Sequence, residues 1–463
     1  MSFPRYPEYK DSGIEWLGEV PAHWGIQPLK RHCDVMPSNV DKRSVEGEQP
    51  VLLCNYTDVY YHDDIVQGMS FMQATASGSQ VEKFSLLAGD VIFTKDSESS
   101  DDIAIAAHVP EALPGVVCGY HLSIARPHPS IIGRFLKHYF DSRSAKSYFD
   151  VSANGLTRVG LSQYASDNLP TPLPPIEEQA TIAAFLDHET ARIDNLVEQQ
   201  QRLIELLKEK RQAVISHAVT KGLDPDMPMK DSGVEWLGEV PAHWELSKLG
   251  YLSAVVRGGS PRPAGDPKLF NGDYSPWVTV AEITKDEHMY LDSTETCLTK
   301  LGSAQCRVFK KGTLLLSNSG ATLGVPKILK INANANDGVV GFESLSKKLI
   351  IEFAYYFLKS ITESLRDRIR QGSGQPNLNT DIVGGVFIPL PELEEQRAIA
   401  NHIKEHMDEY EAAEKAAETL IALLTERRSA LISAAVTGKI DVRGWQPPAG
   451  SSATSEHTQT ELV

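Results

Sequence analysis

The strongest constraint on this chain is a long internal repeat. The segment "KDSGIEWLGEVPAHW" at residues 10–24 returns as "KDSGVEWLGEVPAHW" at residues 230–244, with a single change from Ile to Val. A second segment, "PLPPIEEQATIAAFL" at residues 172–186, returns as "PLPELEEQRAIANHI" at residues 389–403. Repeats of this kind are typical of architectures built from duplicated units. The chain is therefore expected to fold as two related halves.

The second repeated segment continues for about fifty residues at a constant offset of 217, without insertion or deletion. A stretch that tolerates no change in length is rigid, which favours a helix. Apolar side chains recur in it at alternating spacings of four and three residues, the heptad pattern of helices that pack at a shallow angle. Each copy begins with a Pro-rich entry and Glu in the first turn, and each ends near a glycine, Gly222 or Gly438.

These patterns predict two long helices, within residues 172–222 and 389–443, that form an antiparallel coiled coil. Two separate surface helices, one in each half, remain the alternative. A helix of about 42 residues is about 63 Å long, because each residue adds about 1.5 Å. The predicted coiled-coil seam consists of Ile182, Leu186, Ile193, Leu196, Leu203, Leu207 and Val214 in the first helix and Ile399, Ile403, Tyr410, Leu420, Leu424 and Leu431 in the second.

Two variable segments, residues 25–171 and 245–388, lie between the repeated parts and share little sequence. Short apolar runs such as "GDVIF" and "PWVTVAEI", bounded by turn residues, predict strands in mixed domains. We predict an α+β fold with two mixed α/β domains in a pseudo-twofold arrangement, separated by the two long helices. Residues 1–24 are predicted to form an N-terminal clip, 223–244 a linker with the second copy of the clip, and 444–463 a disordered tail.

Length and composition narrow the class of protein. A chain of 463 residues is too long for one core and suggests two to four domains. No run of eighteen apolar residues and no apolar signal segment occurs, so the expected location is the cytoplasm. The five cysteines are scattered without a C-x-x-C pair, which argues against a disulfide framework and against a zinc site.

The net charge of −16 is unevenly distributed along the chain. Residues 25–171 carry 12 basic and 17 acidic side chains, whereas residues 245–388 carry 17 basic and 14 acidic side chains. Only the local field at a contact surface decides whether a protein binds DNA. The acidic total therefore does not exclude a nucleic-acid partner.

A search for catalytic chemistry finds no motif that carries it. The chain has no G-x-x-x-x-G-K-[ST] phosphate loop, no G-x-G-x-x-G cofactor turn, no N/D-P-P-Y/F tetrapeptide and no H-E-x-x-H pair. His402 and His406 are one helical turn apart but lack a third ligand beside them. We predict no catalytic residue and no metal site, and two different recognition domains on a rigid spacer describe a targeting module.

The W-L-G-x-V-P-x-H-W phrase, which runs from Trp16 to Trp24 and again from Trp236 to Trp244, resembles the specificity subunits of type I restriction–modification systems. The duplicated "PLPPIEEQ" and "PLPELEEQ" segments are similar to the same family. The resemblance extends to about residue 443. Two independent motifs, each duplicated in the order of the family, make it specific.

The resemblance implies a non-catalytic subunit that binds double-stranded DNA. Each variable segment would be a target recognition domain that reads one half of a bipartite, asymmetric site, and the coiled coil would set the spacer between the halves. Two modification subunits, which use S-adenosylmethionine to methylate adenine, and two ATP-driven translocase–nuclease subunits would be the partners. S-adenosylmethionine, ATP and Mg²⁺ are therefore expected on the partner subunits, and no cofactor is expected on this chain.

Base readout in the major groove uses Arg and Lys for guanine and Asn and Gln for adenine. The loops "TKDSES" and "NGLTR" in the first domain and "SNSG" and "QGSGQPN" in the second supply such groups. The candidate DNA-binding residues are Lys95, Asn154, Thr157, Arg158, Ser317, Asn318, Gln375 and Asn377.

Two other interpretations stay open at this point. One is a self-sufficient DNA methyltransferase or nuclease with a cryptic site, and the other is a protein–protein scaffold built on a duplicated helical hairpin. The repeated phrase itself is interpreted as structural, because Trp16, Trp24, Trp236 and Trp244 accompany apolar side chains without an acid–base pair. The logic of the repeat predicts that the first copy packs near the end of the second long helix, which would bring the chain termini together.

Overall fold

The computed structural model describes residues 3–320, 322–370 and 378–447. The chain divides into two compact units, one formed by residues 1–201 with 418–463 and the other by residues 202–417. We call them unit one and unit two. No helix in the described ranges is both long and apolar enough to cross a bilayer.

Unit one contains the first copy of the repeated phrase and the first variable segment. Two short 3-10 helices lie at Leu29–Arg31 and Ser100–Asp102. The strands are β1 (Tyr9–Asp11), β2 (Glu19–Pro21), β3 (Gly25–Pro28), β4 (Cys33–Pro37), β5 (Gln49–Cys54), β6 (Met72–Ala76), β7 (Ser85–Leu86), β8 (Val91–Thr94), β9 (Asp96–Ser97), β10 (Ala106–His108), β11 (Leu113–Cys118), β12 (Leu122–Pro127), β13 (Val159–Gly160) and β14 (Pro170–Leu173). The helices are α1 (Tyr56–Tyr61), α2 (Gly78–Phe84), α3 (Gly133–Phe140), α4 (Arg143–Ser152), α5 (Gln163–Asp167) and the first part of the long helix α6 (Ile176–Lys221).

Two four-stranded sheets form the body of unit one. Their strand orders are β10-β8-β12-β4 and β6-β5-β11-β7. The first sheet is antiparallel, and the second contains one parallel pair, β11 with β5. Strands β3 and β14, at the beginning and end of the variable segment, pair with each other from Gly25↔Leu173 to Pro28↔Pro170. The variable segment therefore starts and finishes at one place.

Unit two repeats this plan with a different sequence. Its strands are β15 (Met229–Asp231), β16 (Glu239–Pro241), β17 (Glu245–Lys248), β18 (Ala254–Arg257), β19 (Ser275–Val278), β20 (Tyr290–Leu291), β21 (Cys297–Leu298), β22 (Val308–Phe309), β23 (Leu314–Ser317), β24 (Pro326–Leu329), β25 (Ala333–Ala335), β26 (Val339–Glu343) and β27 (Phe387–Leu390). After the second part of α6, its helices are α7 (Leu249–Leu252), α8 (Val280–Thr284), α9 (Lys300–Ala304), α10 (Ile351–Ser360), α11 (Thr362–Arg370), α12 (Thr380–Gly384) and the first part of the long helix α13 (Leu393–Val436).

The sheets of unit two have the orders β18-β26-β23-β24-β20 and β21-β19-β25-β22. Strands β17 and β27 pair at the two ends of the variable segment, as β3 and β14 do in unit one. The predicted class, mixed α/β domains combined with two long helices, is confirmed.

The long helices have 46 and 44 residues. Each begins with two glutamates in its first turn, where the helix dipole favours negative charge. Gly222 and Gly438 follow their last turns with φ of 79° and 71°, the left-handed conformation that glycine adopts without strain. The sequence signals for the helix ends therefore correspond to real caps.

Within each unit, a part of α6 runs antiparallel to a part of α13. In unit one Arg428 Nε donates to Asp194 Oδ1 over 2.8 Å, and in unit two Lys208 Nζ lies 3.4 Å from Glu414 Oε1. Ile182, Leu186 and Ile193 share an apolar core with the end of α13, and Ile399 and Ile403 share one with the end of α6.

The predicted seam residues differ in burial. Because the other helix covers only one stripe of each helix, seam positions are fully enclosed only where a domain packs beside them as well. Six are buried: Ile182, Leu186, Ile193, Ile399, Ile403 and Leu431. Four are half-buried: Leu207, Val214, Tyr410 and Leu424. Three, Leu196, Leu203 and Leu420, are 37%, 41% and 42% exposed.

Candidate functional site

The two loops of the first domain that were predicted to contact DNA lie side by side. Strand β9 pairs with β13, so "TKDSES" and "NGLTR" are joined by a short antiparallel ladder. Arg158 Nη2 forms an ion pair of 2.5 Å with Asp96 Oδ1, and His121 Nδ1 lies 2.9 Å from the same carboxylate. The ladder and the ion pair fix the relative position of the two loops.

The candidate side chains of these loops point in different directions. Lys95 Nζ donates to the Ser38 carbonyl over 2.7 Å, and burial lowers the pKa of its ammonium group. Asn154 exchanges two backbone hydrogen bonds with Gly160. Thr157 and Arg158 are exposed. Asn154 is exposed as well. Lys95, in contrast, is half-buried and its ammonium group is bonded to the backbone.

An aromatic cluster beside the first-domain loops was not among the predicted site residues. Tyr56 and Tyr60 in α1 stack with ring centroids 5.5 Å apart, and the Tyr60 hydroxyl donates to Asp102 over 2.8 Å. Tyr61 is 73% exposed, and the Tyr120 ring lies 3.6 Å from that of His121. The run "YTDVYY" is visible in the sequence, but nothing in it indicates proximity to residues 96–102.

The "SNSG" loop of the second domain leaves β23. Ser317 is fully buried, with its hydroxyl donating to the Thr322 carbonyl over 2.8 Å. Asn318 is also fully buried, and among the residues that the structure describes neither atom of its side-chain amide has a hydrogen-bond partner. Its carbonyl accepts from Leu378 N over 2.8 Å, which joins this loop to the segment before α12. Gln375 and Asn377 lie outside the described residues.

The repeated phrase is anchored to the first turn of a long helix in both units. In unit one Trp24 Nε1 donates to Glu178 Oε1 over 3.0 Å, and His23 Nε2 lies 2.9 Å from Glu178 Oε2. Burial and the Glu178 carboxylate raise the pKa of the Tyr6 hydroxyl, which donates to Glu178 Oε1, the oxygen that also accepts from Trp24.

The same arrangement recurs in unit two. There Trp244 Nε1 and His243 Nε2 lie 3.0 Å and 2.9 Å from the two oxygens of Glu395. Trp24 and Trp244 are completely buried. The tryptophan at the end of each phrase is therefore a structural anchor that holds the phrase to a helix more than 150 residues later in sequence.

The next residue of each long helix fastens the variable domain. Gln179 Oε1 accepts from Ile132 N, at the start of α3, over 2.8 Å. Gln396 Oε1 accepts from Ile350 N, at the start of α10, over 2.8 Å. Both glutamines are fully buried and donate to two further carbonyls each. In both copies of the "EEQ" motif, the second glutamate therefore binds the repeated phrase and the glutamine binds the variable domain.

A carboxylate in each variable segment bridges the variable domain to the end of a long helix. Arg428 Nη2 lies 3.2 Å from Asp63 Oδ2, which also pairs with buried Lys137. Burial raises the pKa of Asp63, but the charge and hydrogen bond of Lys137 together with the charges of Arg428 and Arg134 lower it by more, so the net pKa is lowered.

Unit two contains an equivalent bridge. Arg211 Nη1 lies 3.1 Å from Glu287 Oε2, and Lys359 Nζ lies 3.5 Å from the same oxygen. Burial raises the pKa of Glu287, and the charges of Lys359 and Arg211 lower it further than burial raises it. Arg211 and Arg428 are separated by the repeat offset, so two dissimilar domains have kept the same kind of contact to equivalent helix positions.

Segments near the two ends of the described chain meet in unit one, as the repeat predicts. Asp441 N donates to the Pro4 carbonyl over 2.8 Å, and the Tyr9 hydroxyl donates to the Gly438 carbonyl over 3.0 Å. The first copy of the phrase therefore packs against the end of α13, just as the second copy packs against Gly222 at the end of α6.

Comparison with known proteins relates this chain to one group of subunits. Residues 241–419 match the family described as the type I restriction modification DNA specificity domain. The provisionally named type I restriction enzyme MjaX specificity subunit of Methanocaldococcus jannaschii is 24% identical over 450 residues, 92% of this chain and 96% of that protein. The type I restriction enzyme EcoKI specificity subunit of Escherichia coli is 22% identical over 395 residues, 81% of this chain and 79% of that protein.

Solved structures share the fold at low sequence identity. A chain from work on complex assembly and conformational transition of the type I R-M system superposes with a TM-score of 0.72 at 19% identity, covering 90% of this chain and 98% of the other. The HsdS subunit from Thermoanaerobacter tengcongensis gives a TM-score of 0.56 at 20% identity, covering 91% of this chain and 98% of the other.

Proposed function

The chain belongs to the family of type I restriction–modification specificity subunits, and on that premise we propose that it reads a bipartite, asymmetric DNA site. Each recognition domain reads one half of the site. The paired long helices set the spacer between the halves. The chain itself carries out no chemical step.

The observation that carries this proposal is that one scaffold holds two unlike domains. In both units a Trp–Glu anchor, a buried Gln and an Arg–carboxylate bridge fasten the variable segment to the long helices. The domains held by these contacts share their strand order, apart from the additional edge strand β20 in unit two, but have little sequence in common. Equivalent mounting of unlike domains is what a reader of two different half-sites requires.

The dimensions of the helices support the role of a spacer. A helix of 46 residues is about 69 Å long at about 1.5 Å per residue. Half-sites read by two related domains are typically about 34–36 Å, one turn of DNA, apart. The helices are long enough to hold two domains at that separation.

We further propose that the chain recruits two modification subunits and, for cleavage, two restriction subunits. In this assembly S-adenosylmethionine serves methylation of adenine, and ATP and Mg²⁺ serve translocation and cleavage, all on the partner subunits. Binding to DNA phosphates is driven by cationic side chains. Because the first domain is acidic, partner subunits that add positive charge near the DNA would strengthen its binding.

Methylation-sensitive long-read sequencing of the host genome, with and without this gene, tests the proposal. We expect one methylated motif, made of two short specified parts separated by a fixed gap, to disappear when the gene is deleted. If the motifs are the same in both strains and the complex with the modification subunit shows no sequence preference, the chain is a scaffold and not a DNA reader. Methylation by the purified chain alone would instead indicate a self-sufficient enzyme.

A further inference from the structure

A groove in unit two lies where the variable domain meets the long helix α6. It has a volume of about 520 Å³ and is bounded by α6, the segment after α8, the connection from β23 to β24 and the facing ends of α10 and α11. Lysine and arginine outnumber aspartate and glutamate in its lining by five to three. The cations are Lys208, Arg211, Lys285, Lys327 and Lys359, and the acids are Asp286, Glu287 and Glu363. The excess of positive charge indicates a site for an anion.

Two of the three acids are neutralised by other contacts. Asp286 pairs with Lys327, whose buried ammonium group also donates to two backbone carbonyls. Glu363 Oε1 lies 2.6 Å from Arg366 Nη1, and Arg366 does not line the groove. Among the lining residues, Glu287 is therefore the acid that remains for the other cations.

The two more exposed cations are paired with acids at the edge of the groove. Lys208 Nζ lies 3.4 Å from Glu414 Oε1, and Lys285 Nζ lies 2.9 Å from Glu282 Oε2. The uncompensated positive charge is therefore centred on the remaining two cations, Arg211 and Lys359.

These two cations share one carboxylate. Glu287 Oε2 lies 3.1 Å from Arg211 Nη1 and 3.5 Å from Lys359 Nζ, and the Glu287 side chain is 71% exposed. Within the described part of the chain, Arg211 Nε is buried without a hydrogen-bond partner. Burial and the charge of Arg211 are the main causes that lower the pKa of the Lys359 ammonium group. An anion with several oxygens would satisfy both cations better than the single shared oxygen of Glu287 does.

The groove lies next to a loop that was predicted to contact DNA. Thr322 lines the groove, and its carbonyl accepts from the Ser317 hydroxyl, at the base of the "SNSG" loop, over 2.8 Å. In protein–DNA complexes, contacts to phosphate position the protein on the duplex, whereas contacts to base edges specify the sequence. A phosphate site beside a base-reading loop would hold that loop in register on its half-site.

From these observations we propose that the groove binds a phosphate group of the DNA backbone, beside the half-site that unit two reads. The phosphate oxygens accept hydrogen bonds from Arg211 and Lys359. Glu287, which is mostly exposed, takes the place of the phosphate in the free protein and turns into solvent when DNA binds. The proposal rests on the proposed function, and it adds a DNA contact made by the long helix α6 itself.

The equivalent junction of unit one has the opposite balance of charge. Arg428 there lies beside Asp63 and Asp194. Buried Lys137 lies beside Asp63 and Asp141. These two cations face three carboxylates, and DNA binding depends on neutralising phosphate with cations. We therefore assign the phosphate contact at the junction of helix and domain to unit two and not to unit one.

The test measures DNA affinity at several salt concentrations for the full chain in complex with its modification subunit. Each phosphate that a protein cation neutralises steepens the fall of log affinity with log salt by about 0.9. Lys359→Gln should therefore lower this slope by about one and weaken binding to every sequence alike, with the methylated motif unchanged. A loss of packing at Lys359 would weaken binding without changing the slope.

Two further variants guard against loss of folding or a general charge effect. Glu287→Gln removes the competing carboxylate and should strengthen DNA binding, a result that misfolding cannot produce. Lys347→Gln removes an exposed charge just before the start of α10, whereas the groove lies at the far end of this helix, which is about 15 Å long. It should leave the slope unchanged. An unchanged slope in Lys359→Gln, or weaker DNA binding by Glu287→Gln, would overturn the proposal.

A groove that takes a free anion would give a different result. At matched ionic strength, inorganic phosphate would then raise the melting temperature of the wild-type complex but not that of Lys359→Gln, while the salt slope would be the same in both. This outcome would overturn the assignment of the groove to DNA.

Failure of the phosphate contact and failure of the proposed function are also distinguishable. If the wild-type complex methylates a bipartite motif and Lys359→Gln has the wild-type slope, the groove is not a DNA phosphate site and the reading of DNA stands. If the wild-type complex shows no sequence preference on DNA, the proposed function falls, and with it the half-site beside which the groove was placed.

Discussion

Gly222 and Gly438 end the two long helices at equivalent positions, but their surroundings differ. A Cβ at Gly438 would lie 2.3 Å from Pro21 Cδ and 3.1 Å from Trp24 Cη2, whereas a Cβ at Gly222 would lie 3.4 Å from the Trp244 ring. Both glycines have positive φ, so alanine would be strained at either position. Only at Gly438 would it also collide with a ring that the backbone holds in place.

We therefore expect Gly438→Ala to destabilise the protein more than Gly222→Ala. The left-handed backbone costs alanine about 1–2 kcal/mol at either position. Overpacking against Pro21 adds about 1–3 kcal/mol at Gly438 alone. Urea unfolding of the two variants measures the difference, with Gly222→Ala as the matched control. Equal losses of unfolding free energy would show that Pro21 does not pack closely against Gly438.

The sequence predicts which loops face each other better than it predicts single side chains. The candidate loops of the first domain do meet, through the β9–β13 ladder. Lys95 and Ser317, however, are used inside the fold. Residue type indicates which groups a side chain can bind, but its direction depends on packing partners distant in sequence, such as Ser38 for Lys95.

The long helices were the most predictable elements, because the heptad pattern and the caps are local signals. The pattern also predicted buried residues well near the domains and less well away from them. Leu203 and Leu420 belong to the heptad pattern but are more than one-third exposed. Periodicity identifies the face of a helix that packs, whereas burial depends on what else covers that face.

A heptad inserted into both long helices tests their role as a spacer. We place it after Gln200 and after Ala417, which are separated by the repeat offset, so the insertions remain in register. Seven residues add about 10.5 Å of helix, and because base pairs are spaced about 3.4 Å apart, the gap should lengthen by about three base pairs.

The readout is the methylated motif in cells that carry the variant. Both half-sites should remain unchanged while the gap lengthens. An insertion of the same length in the tail after residue 444 serves as the control and should leave the gap unchanged. A methylated motif with the original gap in the helix variant would contradict the spacer role.

The two-part organisation of the whole molecule follows from the repeat, because a duplicated sequence folds into duplicated structure. The shared strand order of the two variable domains could not be predicted from the repeat, since these segments have little sequence in common and strand order depends on long-range pairing that sequence periodicity does not encode. The contacts of Asp63 and Glu287 with the long helices could not be predicted from the sequence either. These residues occupy segments that share little sequence, and only the structure shows that each pairs with the equivalent arginine of a long helix.

The paired ends of each variable segment allow one variable domain to be exchanged, which tests whether each domain reads its own half of the DNA site. Strands β3 and β14 enclose the first segment, so residues 25–171 can be replaced without altering the helices or the second domain. The replacement should retain a carboxylate at the position of Asp63, so that the bridge to Arg428 is preserved.

The most direct measurement is the methylated motif produced by a chain whose residues 25–171 come from another specificity subunit of known target. We expect one half-site to change to that of the donor, while the other half-site and the gap stay as in the wild type. A motif in which both half-sites change, or in which neither does, would contradict the claim that each domain reads its own half of the DNA site.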